Sequence, residues 1–166
     1  MTDDEFLAAF EAAAIARTDW THEAHVRMAW LYLTRLPFVA ALEKVRAGIR
    51  KLNAAFAAAA NPQCKPAETE NPPGYHDTIT VAFVRVIASR LAPGEDYAAF
   101  RDRHPDLFDR TLPALLHYYS KKRLSSAKAR QAFVEPDREE LPAVGLWDGV
   151  VGCGRRGQRP RAAARG

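Results

Sequence analysis

The chain has 166 residues, of which 48% are hydrophobic and 27% charged, and its formal net charge is +4. These values are typical of one globular domain with a buried core. No charge-free apolar run reaches the roughly 18 residues of a transmembrane helix, so we expect no membrane span. The first residues, MTDDEF, are acidic and lack the basic start of a signal peptide, so we expect a cytoplasmic location.

The positive charge is concentrated at the C-terminus. Residues 149–166 contain five of the 24 basic residues and no acidic residue, which leaves 19 basic and 20 acidic residues in 1–148. We expect this Gly/Arg-rich segment, 149–166, to be a disordered tail. Such a tail can bind nucleic acid, but no aromatic residues alternate with its arginines, so nucleic acid is not the partner we expect.

Three helices are predicted in the first 60 residues. Thr2 and Glu5 form a capping-box pattern before an alanine-rich helix. Thr21 can cap a second helix, which has His22 in its first position and extends to about Arg35. A third helix follows a proline, and apolar residues recur along it at helical spacing.

A loop and a fourth helix are predicted next. Residues 61–74 hold four prolines and a glycine, and so long a loop is typically a functional lid or a disordered segment. The β-branched residues of YHDTITVAFVRVIASRL favour a strand, but its length favours a helix, which is our prediction. Shorter helices are predicted over about Tyr97–Arg103, Pro113–Ser120 and Ser125–Phe133.

The predicted fold is therefore all-α. About four main helices and short C-terminal helices form a single-domain helical bundle, the helical domain of residues 1–148. Cys64 and Cys153 lie outside the predicted helices and match no metal-ligand spacing.

Two histidines begin the second helix, in 18-TDWTHEAHVRMAWLYL-33. Side chains three residues apart share one helix face, so His22 and His25 can converge on one ion. Neutral imidazoles are good ligands for zinc, iron or copper. His76 begins another apolar helix, and if the two helix starts meet, it completes a three-histidine metal site with an open position.

The neighbours of His76 extend this hypothesis. Asp77 can be a fourth ligand or can orient a histidine N–H, and we predict Tyr75 and Asp77 as catalytic side chains. The alternative is a buried hydrogen-bonded histidine cluster with Asp77 and Thr21, because buried imidazoles need partners.

A second polar group lies in LLHYYSKKRLSSAKAR. Tyr118, Tyr119, Arg123 and Arg130 can line a pocket and bind a carboxylate or phosphate of a small-molecule substrate. The alternative is a helix C-terminus whose cations interact with the helix dipole.

The motifs WTHEAH, GYHDT and YSKKRLSSAKAR resemble a family of small uncharacterised bacterial proteins with the patterns WTHxxH, GYH[ED]TxT and YSxxxLxSxxAR. The likeness covers about Trp20 to Pro142 and implies no particular reaction. It implies one functional unit formed by His22, His25, His76, Asp77, Ser120 and Arg130, which adds Ser120 to the predicted substrate-binding residues. The His76-Asp77 pair is also similar to the His-Asp dipeptide of HD-type phosphohydrolases.

Two functions follow from these patterns. The first is a metal-dependent enzyme acting on a small molecule, either a hydrolase with a zinc-bound water or an oxygen-dependent oxidoreductase with iron or copper. The second is a non-enzymatic helical interaction module that can form a homodimer.

Overall fold

The structure is a computed structural model that describes residues 1–61 and 71–144. Within these ranges the chain is all-helical and no strand occurs, which confirms the predicted helical bundle. The helices are α1 (Asp3–Glu11), α2 (His22–Arg35), α3 (Phe38–Ala60), α4 (Asp77–Arg90), α5 (Tyr97–Arg103), a 3₁₀ turn (Pro105–Leu107), α6 (Pro113–Leu116), α7 (Lys121–Leu124) and α8 (Ala127–Gln131). In these described parts of the chain, every helix is too short or too polar to cross a membrane.

The first two helices begin where their capping residues predict. Thr2 and Glu5 form both hydrogen bonds of a capping box at the start of α1. The Thr21 hydroxyl accepts a hydrogen bond from the Ala24 N–H at 3.2 Å and so caps α2. His22 is therefore the first residue of α2, and its side chain is presented at the end of the helix.

A glycine in α3 allows α1 to approach closely. A Cβ atom built on Gly48 would collide with the ring of Phe10, which is fully buried between the helices. Phe10 also stacks on Trp20, with ring centroids 5.2 Å apart, and packs against Tyr32 of α2. The close approach at Gly48 therefore fixes the turn that leads into α2.

α4 is the central helix of the bundle and packs against α2, α3, α6 and α8. Its buried side chains are Asp77, Thr78, Val81, Ala82, Phe83, Val84, Val86 and Ile87. Because neighbours surround this helix, residues on nearly every side of it must be apolar. Burial on several sides explains why β-branched residues occur in a helix here, against their intrinsic preference.

The C-terminal helices differ in detail from the prediction. α6 ends at Leu116, four residues before the predicted Ser120, and the helix α7 was not predicted. Tyr119 is buried, and its hydroxyl donates to the Val134 carbonyl at 3.0 Å. This long-range contact favours a non-helical backbone after Leu116. The predicted boundary at residue 148, the Gly/Arg tail and both cysteines lie outside the described residues.

Candidate functional site

A pocket of about 1070 Å³, open to solvent, lies beside the start of α2. Side chains of α2, α3 and α4 and residues 108–112 form its walls. Its apolar lining includes Trp20, Val26, Met28, Val45, Ile49, Phe56, Phe83, Val84, Ile87, Phe108 and Leu112. Its polar lining is formed by Arg17, Thr18, Thr21, His22, Glu23, His25, Asn53, Thr80 and Arg110. The pocket is thus an open cleft to which polar and apolar side chains contribute in similar measure.

His22 lines this pocket and uses one of its ring nitrogens in a hydrogen bond. Its Nε2 atom lies 2.9 Å from the carbonyl oxygen of Leu107. A carbonyl oxygen can only accept, so Nε2 carries a proton, and among the described residues no group hydrogen-bonds to Nδ1. The edge of the ring also contacts Phe83, with centroids 5.5 Å apart, and this packing holds its orientation.

His25 donates through its other ring nitrogen, Nδ1, whereas His22 donates through Nε2. Its Nδ1 lies 2.6 Å from the carbonyl oxygen of Thr21, so Nδ1 donates and Nε2 has the lone pair. The imidazole packs on the indole of Trp20 with a centroid distance of 4.0 Å. Burial lowers the pKa of His25 to about 4, whereas the bond to the Thr21 carbonyl opposes this shift; the charge of Arg17, and that of His22 when it is protonated, act in the same direction as burial. His25 is therefore neutral near pH 7.

His76 has both ring nitrogens engaged. Nε2 donates to the Leu124 carbonyl at 2.8 Å, and Nδ1 accepts from the Ile79 N–H at 3.3 Å and caps α4. Burial lowers the pKa of His76 as well, so the neutral ring makes these two bonds. With neither nitrogen free, His76 in this conformation offers no lone pair to a metal ion.

The three predicted metal ligands do not form one group. His22 and His25 share the pocket wall, and His76 does not line it. Within residues 1–61 and 71–144, no three His, Cys, Asp or Glu side chains are placed to hold a metal ion. The predicted three-histidine metal site therefore has no support from this part of the chain. The alternative cluster with Asp77 is not formed either, although His25 does bind Thr21 through the backbone carbonyl.

Asp77 and Tyr75 belong to a buried ion-pair network outside the pocket. The fully buried Asp77 carboxylate accepts two hydrogen bonds from Arg46, at 3.0 and 2.7 Å, and one from Arg50 at 3.3 Å. The Tyr75 hydroxyl donates to the same carboxylate at 2.7 Å. Burial and the negative charge of Asp77 raise the pKa of Tyr75 to about 12, so the phenol stays protonated. The contacts of both predicted catalytic residues join α4 to α3.

The predicted substrate-binding residues also lie outside the pocket, near the C-terminal segment 134–138. Ser120 donates its backbone N–H and its hydroxyl to Asp137, at 2.8 and 2.6 Å. Arg123 donates to the Glu135 carbonyl at 3.1 Å, and the backbone of Tyr118 accepts from Arg138. The remaining member, Arg130, is exposed on α8. The first three residues thus hold the C-terminal segment in place.

Sequence reasoning missed two sets of residues. Arg46 and Arg50, the partners of Asp77, stand four residues apart on α3, and this spacing on one helix face was a usable signal of a shared carboxylate. The pocket residues Arg17, Asn53 and Arg110 carried no such signal, because they come from segments far apart in the chain.

In comparisons with known proteins, no family model, no curated protein and no solved structure matches the chain. The likeness of its motifs to a bacterial family therefore stays a prediction. The pocket and its two histidines are the features that remain for inferring a function.

Proposed function

We propose that this protein binds a small organic molecule in the pocket at the start of α2, with His22 and His25 contacting the polar groups of that molecule. One observation carries the proposal: two imidazoles on the wall of the pocket each use one ring nitrogen in a bond to a backbone carbonyl and keep the other, Nδ1 of His22 and Nε2 of His25, available to a ligand. Within the described residues, no hydrogen-bond donor reaches either nitrogen. A ligand with an O–H or N–H group would supply that donor.

The size and lining of the pocket support this proposal. Its volume of about 1070 Å³ slightly exceeds the roughly 1,000 Å³ of the largest typical ligand pockets, so an organic molecule has room there. Apolar ligand surface that leaves water contributes about 25 cal/mol for each Å². The half-buried rings of Phe56 and Phe108 leave some aromatic surface exposed in the pocket, which suits an apolar group of a ligand.

The ionisation of His25 favours binding over proton abstraction by this ring. An effective general base has a pKa near the working pH. With a pKa of about 4, the His25 imidazole is a weak base but a constant acceptor near pH 7. The same lone pair can also bind a metal ion without competition from a proton.

A pocket-filling variant tests the proposal. Ala57 lines the pocket on α3, and Ala59 is exposed on the same helix outside the pocket. We expect that small aromatic fragments shift the NMR signals of pocket residues in the wild type and in Ala59→Phe, but not in Ala57→Phe, where the new ring occupies the space. Binding that is equal in Ala57→Phe and wild type would place the ligand elsewhere. An absence of any binding fragment would contradict the proposal.

A metal-dependent enzyme is a second candidate, favoured by the two lone pairs one helical turn apart on one wall of the pocket. The pair would bind zinc, iron or copper, and water or the substrate would complete the coordination. With zinc, a bound water would be activated for hydrolysis, and with iron or copper, oxygen chemistry would be available.

Metal analysis decides between the two candidates. If the enzyme candidate holds, purified protein incubated with zinc, iron(II) or copper(II) retains about one equivalent after dialysis. His22→Ala and His25→Ala would lose this metal, whereas the exposed His117→Ala and the doubly hydrogen-bonded His76→Ala would keep it. Wild-type protein that retains no metal after incubation would remove this candidate and leave the first in place.

A further inference from the structure

We infer that Asn53 recognises the ligand of this pocket and that the ligand carries a carboxamide or lactam group, in which an N–H lies beside a carbonyl. This inference rests on the proposed function and adds the chemical class of the ligand. The observation behind it is a buried amide on the pocket wall that has no hydrogen-bond partner among the described residues.

Asn53 is the one polar residue that α3 contributes to the pocket. Val45, Ile49, Phe56 and Ala57 line the pocket from the same helix, at spacings that place them on one face with Asn53. Asparagine is less favourable than alanine inside a helix, because its side chain competes for backbone hydrogen bonds. Helix formation therefore does not explain an asparagine in the middle of this apolar face.

The amide of Asn53 is buried and unpaired in the described ranges. Asn53 is only 9% exposed, and the other two buried polar residues of these ranges, Asp77 and Thr78, both have hydrogen-bond partners. Between residues 1–61 and 71–144, no hydrogen bond involves the Asn53 side chain. A buried amide without a partner costs free energy, and a ligand that supplies the missing bonds recovers it.

This amide lies where α3 meets residues 73–74. Gly74 also lines the pocket, and a Cβ atom built on it would lie 3.4 Å from Nδ2 of Asn53. The backbone of Gly74 therefore packs against the amide, and the part of Asn53 that stays exposed faces the pocket.

The two polar atoms of the Asn53 side chain define the complementary ligand group. They offer a carbonyl acceptor beside an NH2 donor. A carboxamide or lactam has a matching donor and acceptor side by side, so it can form two parallel hydrogen bonds with the asparagine. A ligand with a carbonyl alone leaves the acceptor of Asn53 buried and unpaired, so it binds less tightly. Phe56 is half-buried one turn further along α3, and its ring can contact an aromatic group attached to the ligand amide.

Two probes of similar size test the inference by NMR titration of the full chain: benzamide, and acetophenone, in which a methyl group replaces the NH2. We expect benzamide to bind the wild type about tenfold more tightly, because acetophenone leaves the Asn53 carbonyl without a donor. The side-chain NH2 signals of Asn53 should also shift when benzamide binds.

The variant Asn53→Leu separates recognition from a structural role. Leucine has a similar size and no polar atom, so benzamide should bind this variant no more tightly than acetophenone does. The urea midpoint of the variant should equal or exceed that of the wild type, because no described hydrogen bond is lost. The matched control is Asn61→Leu, at an exposed position at the end of α3 outside the pocket, which should keep the tenfold preference.

Failure of the inference is distinguishable from failure of the proposed function. Equal affinities of benzamide and acetophenone for the wild type, or Asn53 NH2 signals that benzamide leaves unshifted, would overturn the amide as ligand class while pocket binding stands. A preference that survives Asn53→Leu, or a variant that is less stable than the wild type or unfolded, would overturn the role of Asn53 in recognition. If neither probe binds and fragments shift no pocket signals either, both the inference and the proposed function would be overturned.

Discussion

At the scale of single residues, three histidines make similar hydrogen bonds with different consequences. His22, His25 and His76 each donate one ring N–H to a backbone carbonyl. Only His76 uses its second nitrogen as well, because it caps α4. The caps of helix starts therefore decide which imidazoles are available: Thr21 caps α2 and leaves the two histidine side chains free to line the pocket.

His25 should make the folded state sensitive to acid. Its folded pKa of about 4 lies below the unfolded value of about 6.5, so only the unfolded chain gains a proton between these pH values. The contribution of His25 to the free energy of unfolding is fully present above about pH 6.5. It decreases by about 3 kcal/mol in total as the pH falls toward 4. Urea unfolding of wild type and His25→Gln across this range measures it.

Burial also lowers the pKa values of His76 and His104, so these histidines contribute to the pH dependence of stability as well. A comparison with His25→Gln is therefore needed to isolate the effect of His25. Their shared contribution to the pH dependence remains in His25→Gln and cancels in the comparison. Wild type should lose more stability than His25→Gln between pH 6.5 and 4.5. Parallel pH profiles of the two proteins would show that His25 titrates normally.

The sequence could predict this site only in part. The spacing of His22 and His25 at a helix start places both on one face, and the structure confirms that they share a wall of the pocket. The partner of His22, by contrast, is the carbonyl of Leu107, 85 residues further along the chain. Contacts over such separations depend on how the helices pack, which local patterns do not encode.

At the scale of elements, the motif GYHDT joins the start of α4 to its neighbours. Asp77 pairs with two arginines of α3, and His76 bonds to Leu124 of α7. Thr78 donates to the Ala132 carbonyl at 3.0 Å and accepts from the Val134 N–H at 3.1 Å. His76 and Asp77, which the sequence analysis assigned to a metal or catalytic site, therefore connect α4 to its neighbours α3 and α7.

Substitution of Asp77 should cost much of the stability. Asp77→Asn removes the only carboxylate that pairs with Arg46 and Arg50 in the described structure. We expect a loss of about 3 kcal/mol, at the lower end for a broken buried ion pair because both guanidinium groups remain partly exposed. Urea unfolding measures this loss.

The matched control for this prediction is Asp102→Asn. Asp102 is exposed, and its contact with Arg101 is long, at 3.8 Å. Its substitution should change the free energy of unfolding by less than about 0.5 kcal/mol. Equal effects of the two substitutions would mean that the Asp77 network adds nothing to stability.

Element types and starts were predictable where local rules dominate. The capping box at Thr2, the cap at Thr21 and the length of the apolar run in α4 predicted three helices correctly. Local rules were insufficient between residues 113 and 131, where Tyr119 and Ser120 bind the segment 134–137 and divide the chain into three short helices.

At the scale of the whole molecule, the pocket depends on packing among distant segments. α2 contributes the histidines, α3 and α4 contribute apolar walls, and residues 108–112 contribute Arg110. Burial of Asp77 and Tyr75 keeps α3 and α4 together, so the network outside the pocket supports its shape. Of the predicted site residues, two thus line the pocket and most of the others hold the bundle together, whereas Arg130 is exposed on α8.

The central claim is that His22 and His25 present lone pairs of opposite tautomers to a ligand. Imidazole nitrogen NMR of nitrogen-labelled protein, recorded before and after addition of small aromatic fragments that carry an O–H or N–H group, tests this most directly. We predict a proton on Nε2 of His22 and on Nδ1 of His25, and a shift of both unprotonated nitrogens on binding, with His76 unchanged as the internal control. Identical tautomers for the two histidines, or lone-pair nitrogens that no such fragment shifts, would contradict the account.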